Sequence, residues 1–338
     1  MTTTERPAGT GPGPDGRRGD GRRTGAERLM VPRAEFRSYY GRPVVRPPVW
    51  HADIPAYLFT GGLAAGSAML AAGADLTGRP GLRRTGRVAA LAALGASTYF
   101  LVHDLGRPER FHHMLRVAKP TSPMSVGSWI LAAFGPAAGL AAVSELAPRL
   151  PWRPARTALR VAGRGAGLAA AGLAPALANY TAVLLADTAA PSWHEAYPDL
   201  PWVFTGSALA AAAGAGLIAA PPSELGPVRR VAVAGAALEL YGAHRAETEL
   251  GLLSEPYRDG RAGRLLRTGR ALTAAGVAGA LLGRRSKVLS ALSGVALLAA
   301  SAVTRFGIFA AGVASAKDPT YTVVPQRDRL SRGAGASG

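Results

Sequence analysis

The chain has 338 residues, 48% of them hydrophobic, with 43 Gly, 26 Pro, no Cys and a formal net charge of +18. The absence of cysteine excludes disulfides, thiolate zinc sites and iron–sulfur ligation by this chain. The charge invites a nucleic-acid reading, but its distribution excludes one. Arginines sit mostly in the N-terminal tail and between apolar blocks, with no basic helix interleaved with aromatics.

Residues 1–48 are rich in Gly, Pro and Arg and read as a disordered tail. They lack the apolar core of a secretory signal. From residue 49 onward apolar residues cluster in long blocks. A membrane helix needs about 20 mostly apolar residues, and on that criterion about eight blocks qualify: 54–74, 87–103, 124–146, 165–186, 202–220, 228–244, 265–283 and 288–311. The seventh is the weakest, because it is short and Arg267 and Arg270 intrude on its start. Residues 316–338 read as a C-terminal tail. The expected fold is an all-α integral membrane protein, a bundle of about eight transmembrane helices over residues 49–315.

Many blocks are Ala/Gly-rich, which suits close helix packing. Gly62/Gly66, Gly135/Gly139, Gly163/Gly167 and Gly279/Gly283 have GxxxG spacing. Eight spans place both termini on one side, side A, with loops 104–123, 187–201 and 245–264. The side B loops near 75–86, 147–164, 221–230 and 284–287 are rich in Arg and poor in acids. By the positive-inside rule side B is cytoplasmic, which puts both termini on the extracytoplasmic side of the cell membrane.

The stretch 103–129, HDLGRPERFHHMLRVAKPTSPMSVGSW, packs polar, basic and turn-forming residues between two apolar blocks. Its plainest reading is a solvated turn with Ser122 or Ser125 capping the third span. Arg107 and Arg110, with Arg116 and Lys119, could also grip membrane lipid headgroups. His103, Asp104, His112 and His113 fit no metal-ligand spacing, so no metal site is expected. The first span opens WHADIPAYLF, where Asp53 and Tyr57 are four apart and share a helix face. Asp53 can be a first-turn acid favoured by the helix dipole. Alternatively, the carboxylate and the phenol can hold and protonate a polar ring. Asn179 and Tyr180 lie about two turns inside the side A end of the fourth span. They read either as an interfacial belt with a helix–helix hydrogen bond or as a second wall of that pocket. Glu239 and Arg305 fall inside the sixth and eighth spans, where ionisable groups are costly. An ion pair, Glu239 with Arg305 or with Arg245, is one reading. A proton path through Glu239, His244, Glu247 and Arg305 is the other.

The elements PAYLFTGGLAAGSAML, HDLGRPERF, KPTSPMSVGSW, NYTAVLLADT and RFGIFAAG resemble the NrfD/polysulfide reductase membrane-subunit family over residues about 50–315. The resemblance implies a quinone-reactive membrane anchor that binds no metal or haem itself. Such anchors assemble with an iron–sulfur, ferredoxin-like subunit and a molybdopterin catalytic subunit. By motif, Asp53 and Tyr57 occupy the first-span quinone positions and Tyr180 the fourth-span one, with His51 and Asn179 beside them. Some members carry Asn and His in the first span, so this chain departs at both positions. The expected substrate is a membrane quinone or quinol, with menaquinone as the leading candidate. One quinone oxygen would bond Tyr180 and the other Asp53 or Tyr57. His103, Asp104, Arg107 and Arg110 would dock the iron–sulfur partner and close the site. A structural anchor without quinone chemistry is the alternative. A transporter is disfavoured, because no internal repeat relates residues 54–186 to 202–312.

Overall fold

A computed structural model describes residues 43–335, with helices, turns and irregular chain and no strand among the described residues. The N-terminal tail expected over residues 1–48 lies almost wholly outside them.

The helices run in chain order as α1 (Asp53–Leu76), α2 (Pro80–His103), α3 (Pro123–Val143), α4 (Arg153–Ala186), the short α5 (Pro191–Glu195), α6 (Leu200–Ala219), α7 (Leu225–Glu249), the single turn α8 (Glu255–Arg258), α9 (Gly260–Leu282), α10 (Lys287–Lys317) and α11 (Thr320–Gly335). The eight long ones match the eight apolar blocks. Six of these, all but α7 and α9, are long and apolar enough to cross a membrane. The other two are long enough but carry more charge, with Arg229, Arg230 and Glu239 in α7 and Arg261, Arg264, Arg267 and Arg270 in α9. The chain is a multi-pass, all-helical membrane protein.

Local chemistry explains where the helices start. Proline occupies the first turn of α2, α3, α4 and α6, where its missing N–H costs nothing. Ser122 caps α3 by accepting from the Ser125 amide, and Ser286 caps α10 by accepting from Leu289. The start of α2 is capped from far along the chain. The Glu224 carboxylate accepts from the Gly81 and Leu82 amides at 3.2 and 2.6 Å.

Several helices are longer than their apolar blocks. The second begins at Pro80 rather than 87, so Arg83 lies on a helix. The fourth begins at Arg153, which puts Arg153, Arg156, Arg160 and Arg164 on α4 instead of in a loop. Apolar windows miss these turns because charged residues continue a helix as readily as apolar ones. The expected loops 187–201 and 245–264 contain α5 and α8, and the segment after residue 316 carries α11.

Small residues set the spacing of the bundle. A Cβ at Gly66 would overlap the Ala208 carbonyl, and one at Gly206 would overlap the Glu239 amide. Opposite, a Cβ at Gly235 would lie 2.7 Å from the Ala210 amide nitrogen, so α6 and α7 touch backbone to backbone. Of the GxxxG pairs, Gly62/Gly66 packs against α6, whereas Gly139 faces open space. The outer faces are apolar. Val88, Leu91, Val143, Val161, Leu168, Val233 and Leu292 are all exposed. Only 22% of the apolar window of α3 is buried within the protein. In water that would leave a large greasy surface, and in a bilayer it is solvated by lipid.

Side-chain contacts define the two ends of the bundle. At one end α1 finishes and α2 starts. There Asp75 meets Arg83 at 3.2 Å and Arg87 at 3.6 Å, while Glu145 meets the same two arginines at 2.8 and 2.9 Å. Arg87 also donates to Ser144 Oγ at 3.0 Å. Arg164 of α4 approaches Asp75 at 3.7 Å. This cluster ties α1, α2, α3 and α4 together. The opposite end, where α1 starts and α2 finishes, holds the residues singled out for chemistry.

Candidate functional site

Asp53 sits in the first turn of α1, and its Oδ2 lies 3.1 Å from Nδ1 of His103, the last residue of α2. One residue on, Asp104 faces back to His51, with Oδ1 3.7 Å from the imidazole nitrogen. The α1–α2 hairpin therefore closes on two crossed carboxylate–imidazole pairs. Their burial is asymmetric. The Asp53 and Asp104 side chains are 24% and 13% exposed, whereas His103 and His51 are 60% and 83% exposed. The carboxylates face the protein and the imidazoles face outward. The His103 ring also stacks on Tyr99 at 5.5 Å.

One turn deeper on the Asp53 face, Tyr57 is buried, and it shares a core cluster with Tyr180 of α4. Neither phenol oxygen has a hydrogen-bond partner among the described residues. Tyr180 packs against α3 at Gly127, where a Cβ would overlap its ring. The glycine of the KPTSPMSVGSW segment is therefore what admits Tyr180. Sequence reasoning named the motif but missed this contact, and no spacing rule pairs residues 127 and 180.

The other expected residues fall elsewhere. Asn179 is engaged at both ends of its amide, donating to the Pro175 carbonyl at 2.9 Å and accepting from Thr205 of α6 at 3.0 Å. That is the helix–helix bond anticipated as the plainer reading. The His51 side chain is largely exposed and faces Asp104. Arg107 and Arg110 lie in an exposed stretch around the 3₁₀ turn Pro108–Leu115, which buries no residue of its own. These two residues present an open polar surface beside His103.

Deeper in the bundle the expected ion pair is absent. Glu239 of α7 accepts from Thr304 Oγ1 at 2.8 Å, while Arg305 donates to the Phe204 carbonyl at 2.8 Å and lies 3.7 Å over the Phe204 ring. Adjacent residues on α10 point to opposite neighbours, which separates the two charges. Arg245 is likewise taken, by Asp199 and Glu249 at 2.8 and 2.7 Å. Glu239 Oε2 and Arg305 Nε and Nη1 are buried without a hydrogen-bond partner among the described residues. A narrow crevice of about 30 Å³ follows one face of α7 from Glu239 past Ala243 to Glu247, which pairs with Arg270 at 2.7 Å. His244 is exposed and outside this crevice. Arg270, first noted only as a blemish in the seventh block, is the partner of Glu247.

A third group braces the Asp53 end. Trp193 of α5 is fully buried, donates to the Ile308 carbonyl at 2.8 Å and stacks on Trp50 at 6.2 Å. Tyr257 donates to the Ser192 carbonyl at 2.9 Å, and burial pushes its phenol pKa above the usual range.

Residues 43–222, just over half of the chain, match the family described as polysulphide reductase, NrfD. The chain belongs to the NrfD family. Membership makes it the membrane subunit of a redox enzyme complex, associated with other redox subunits. No curated protein is matched by the sequence. The matched range covers α1 to α6, and so contains Asp53, Tyr57, His103, Gly127 and Tyr180. Glu239, Glu247 and Arg305 lie beyond it.

Proposed function

We propose that this NrfD subunit exchanges electrons with a membrane quinol at the Asp53 end, where the quinol head lies between Asp53 and Tyr57 on one side and Tyr180 on the other. The observation that carries this reading is the conjunction of two buried phenols, without a hydrogen-bond partner among the described residues, with a carboxylate held by an outward-facing imidazole. A quinone ring needs hydrogen-bond donors at both oxygens, and Tyr57 and Tyr180 each have a hydroxyl to offer. Oxidation releases two electrons and two protons. Asp53 accepts the two quinol protons one after the other, and His103, already 3.1 Å away, passes each to solvent before the next is released. The electrons leave to an iron–sulfur, ferredoxin-like partner seated on the 103–121 surface and, through it, to a molybdopterin catalytic subunit. The same parts run in reverse for quinone reduction. Asn179 and His51 are left out of the contact set, because the first is satisfied within the protein and the second is largely exposed and faces Asp104.

The α7 crevice supports a proton route from Glu239 to Glu247. Its volume admits roughly one or two waters, and Glu239, which lines it, carries a buried oxygen that such a water would satisfy.

The test is quinol oxidation by the assembled complex carrying Tyr180→Phe or Asp53→Asn, together with an assay of quinone bound to the purified complex. Each substitution is expected to slow turnover by about 10²-fold or more. Full activity in both variants removes the site. A complex that assembles but holds no quinone supports a purely structural anchor instead.

A further inference from the structure

On the opposite face of α1 from Asp53 and Tyr57, a cavity of about 610 Å³ opens between the start of α1, the α8–α9 corner and the end of α10. That volume is in the range of a small-molecule site. Its long wall is one stripe of α10, formed by Phe306, Phe309, Ala310, Val313, Ala314 and Lys317, at the i, i+3, i+4, i+7, i+8 and i+11 positions. Eleven residues of helix span about 16 Å. The trough therefore runs about half of the ~30 Å hydrocarbon thickness, the depth of one lipid leaflet. It is apolar along its length, and the side chains at its mouth are mostly charged.

The mouth carries both signs. Arg261 and Lys317 line it, and neither has an ion-pair partner among the described residues. Glu255, Asp259 and Asp318 line it too. Glu255 accepts from the Tyr321 hydroxyl at 3.2 Å and Asp318 from the Thr320 amide at 2.9 Å, which fixes both carboxylates in place. A neutral quinone head would leave all of these charges unmatched. A lipid with only a negative head would meet three carboxylates. A head that pairs a phosphate with a primary ammonium satisfies both sets, with the phosphate on Arg261 and Lys317 and the ammonium on Asp259 and Asp318.

We propose that this trough is a specific site for one zwitterionic aminophospholipid, its head at the Arg261/Lys317/Asp259/Asp318 mouth and one acyl chain lying along α10 toward Phe306. The proposal is independent of the quinol reading, since α1 stands between the two sites. The bound lipid fills the space between the start of α1 and the end of α10 that Trp50, Pro55, Phe309 and Val313 line.

Native mass spectrometry of the delipidated, full-chain complex tests it, with phosphatidylethanolamine, phosphatidylglycerol or a short-chain quinone analogue added. One phosphatidylethanolamine is expected to bind and survive activation, at least about tenfold tighter than phosphatidylglycerol. Ala314→Trp, an exposed position that fills the trough, is expected to abolish that adduct. Arg261→Ala with Lys317→Ala, a surface change that keeps the trough open, is expected to weaken it about tenfold, the scale of one lost charge-assisted hydrogen bond. Equal retention of both lipids, an unchanged adduct in Ala314→Trp, or displacement of the lipid by the quinone analogue overturns the proposal.

Discussion

The two ends of the α1–α2 hairpin repeat one motif with different cations. At one end Asp75 and Glu145, 11% and 9% exposed, are held by Arg83 and Arg87, and Arg87 is itself only 7% exposed. At the other, Asp53 and Asp104 are held by His103 and His51, whose rings are open to solvent. A guanidinium keeps its charge throughout the physiological range and binds carboxylates with a rigid fork. An imidazole is the side chain that ordinarily changes charge between about pH 5 and 8. The first arrangement can only clamp. The second can also take up and release a proton while one partner stays in contact with water. One hairpin thus separates a guanidinium cluster from an imidazole one by its own length, and the proposed quinol site falls at the imidazole end.

The comparison predicts its largest effect at the clamp. Arg87→Ala leaves Glu145 and Asp75 short of a buried counter-charge, a class of change worth about 3–5 kcal/mol. Thermal unfolding of the purified chain in detergent should show a large loss, and Arg87→Lys should recover only part of it, because one ammonium nitrogen cannot reach both Glu145 and Asp75 as Nη1 and Nη2 do. The quinol-oxidation rate per folded complex should be unaffected. The mirror experiment is His103→Gln. It keeps a hydrogen-bonding group near Asp53 but removes the proton acceptor, so turnover should fall by about 10²-fold while the unfolding temperature stays near that of the wild type. If His103→Gln unfolds the protein, or Arg87→Ala spares it, the division between clamp and site is wrong.

The sequence made much of this division readable, for uneven reasons. Helix count and type follow from apolar block length, which depends only on the thickness of the membrane. The i, i+4 relation of Asp53 and Tyr57 follows from helical period. Helix starts do not, because Arg83 and Arg153 look like loop residues until the helix is seen to continue through them. The pairing of Glu145 with Arg83 and Arg87 joins residues 62 and 58 positions apart, which no local pattern encodes. The same holds for Gly127 against Tyr180. Glu239 and Arg305 are legible in the sequence as buried charges, but their failure to pair is not, because it depends on side-chain direction. The side chain of Thr304, next to Arg305, faces α7, which sends the guanidinium the other way, to Phe204.

A smaller effect is expected at Gly127. Ala there must push the Tyr180 ring off α3, an overpacking cost of about 1–3 kcal/mol. Pairing it with Tyr180→Leu should return stability, because the shorter side chain makes room, but not quinol oxidation, because the hydroxyl is gone. This double variant separates packing at the imidazole end from chemistry there. If the single Gly127→Ala variant keeps full turnover, Tyr180 does not need its place against α3, and the second wall of the site is lost.

The smallest expected effect is the most discriminating for the comparison itself. His51 and Asp104 form the outer of the two crossed pairs, at 3.7 Å and with the imidazole largely exposed. Exposed ion pairs contribute at most about 1 kcal/mol, and one this long falls at the low end. His51→Ala should therefore shift thermal unfolding by little more than the error of the measurement and leave quinol oxidation intact, since the proton route through Asp53 and His103 is separate. A stability loss approaching that of Arg87→Ala would mean that both ends clamp the hairpin. The choice of imidazole over guanidinium at the Asp53 end would then need an explanation other than proton transfer.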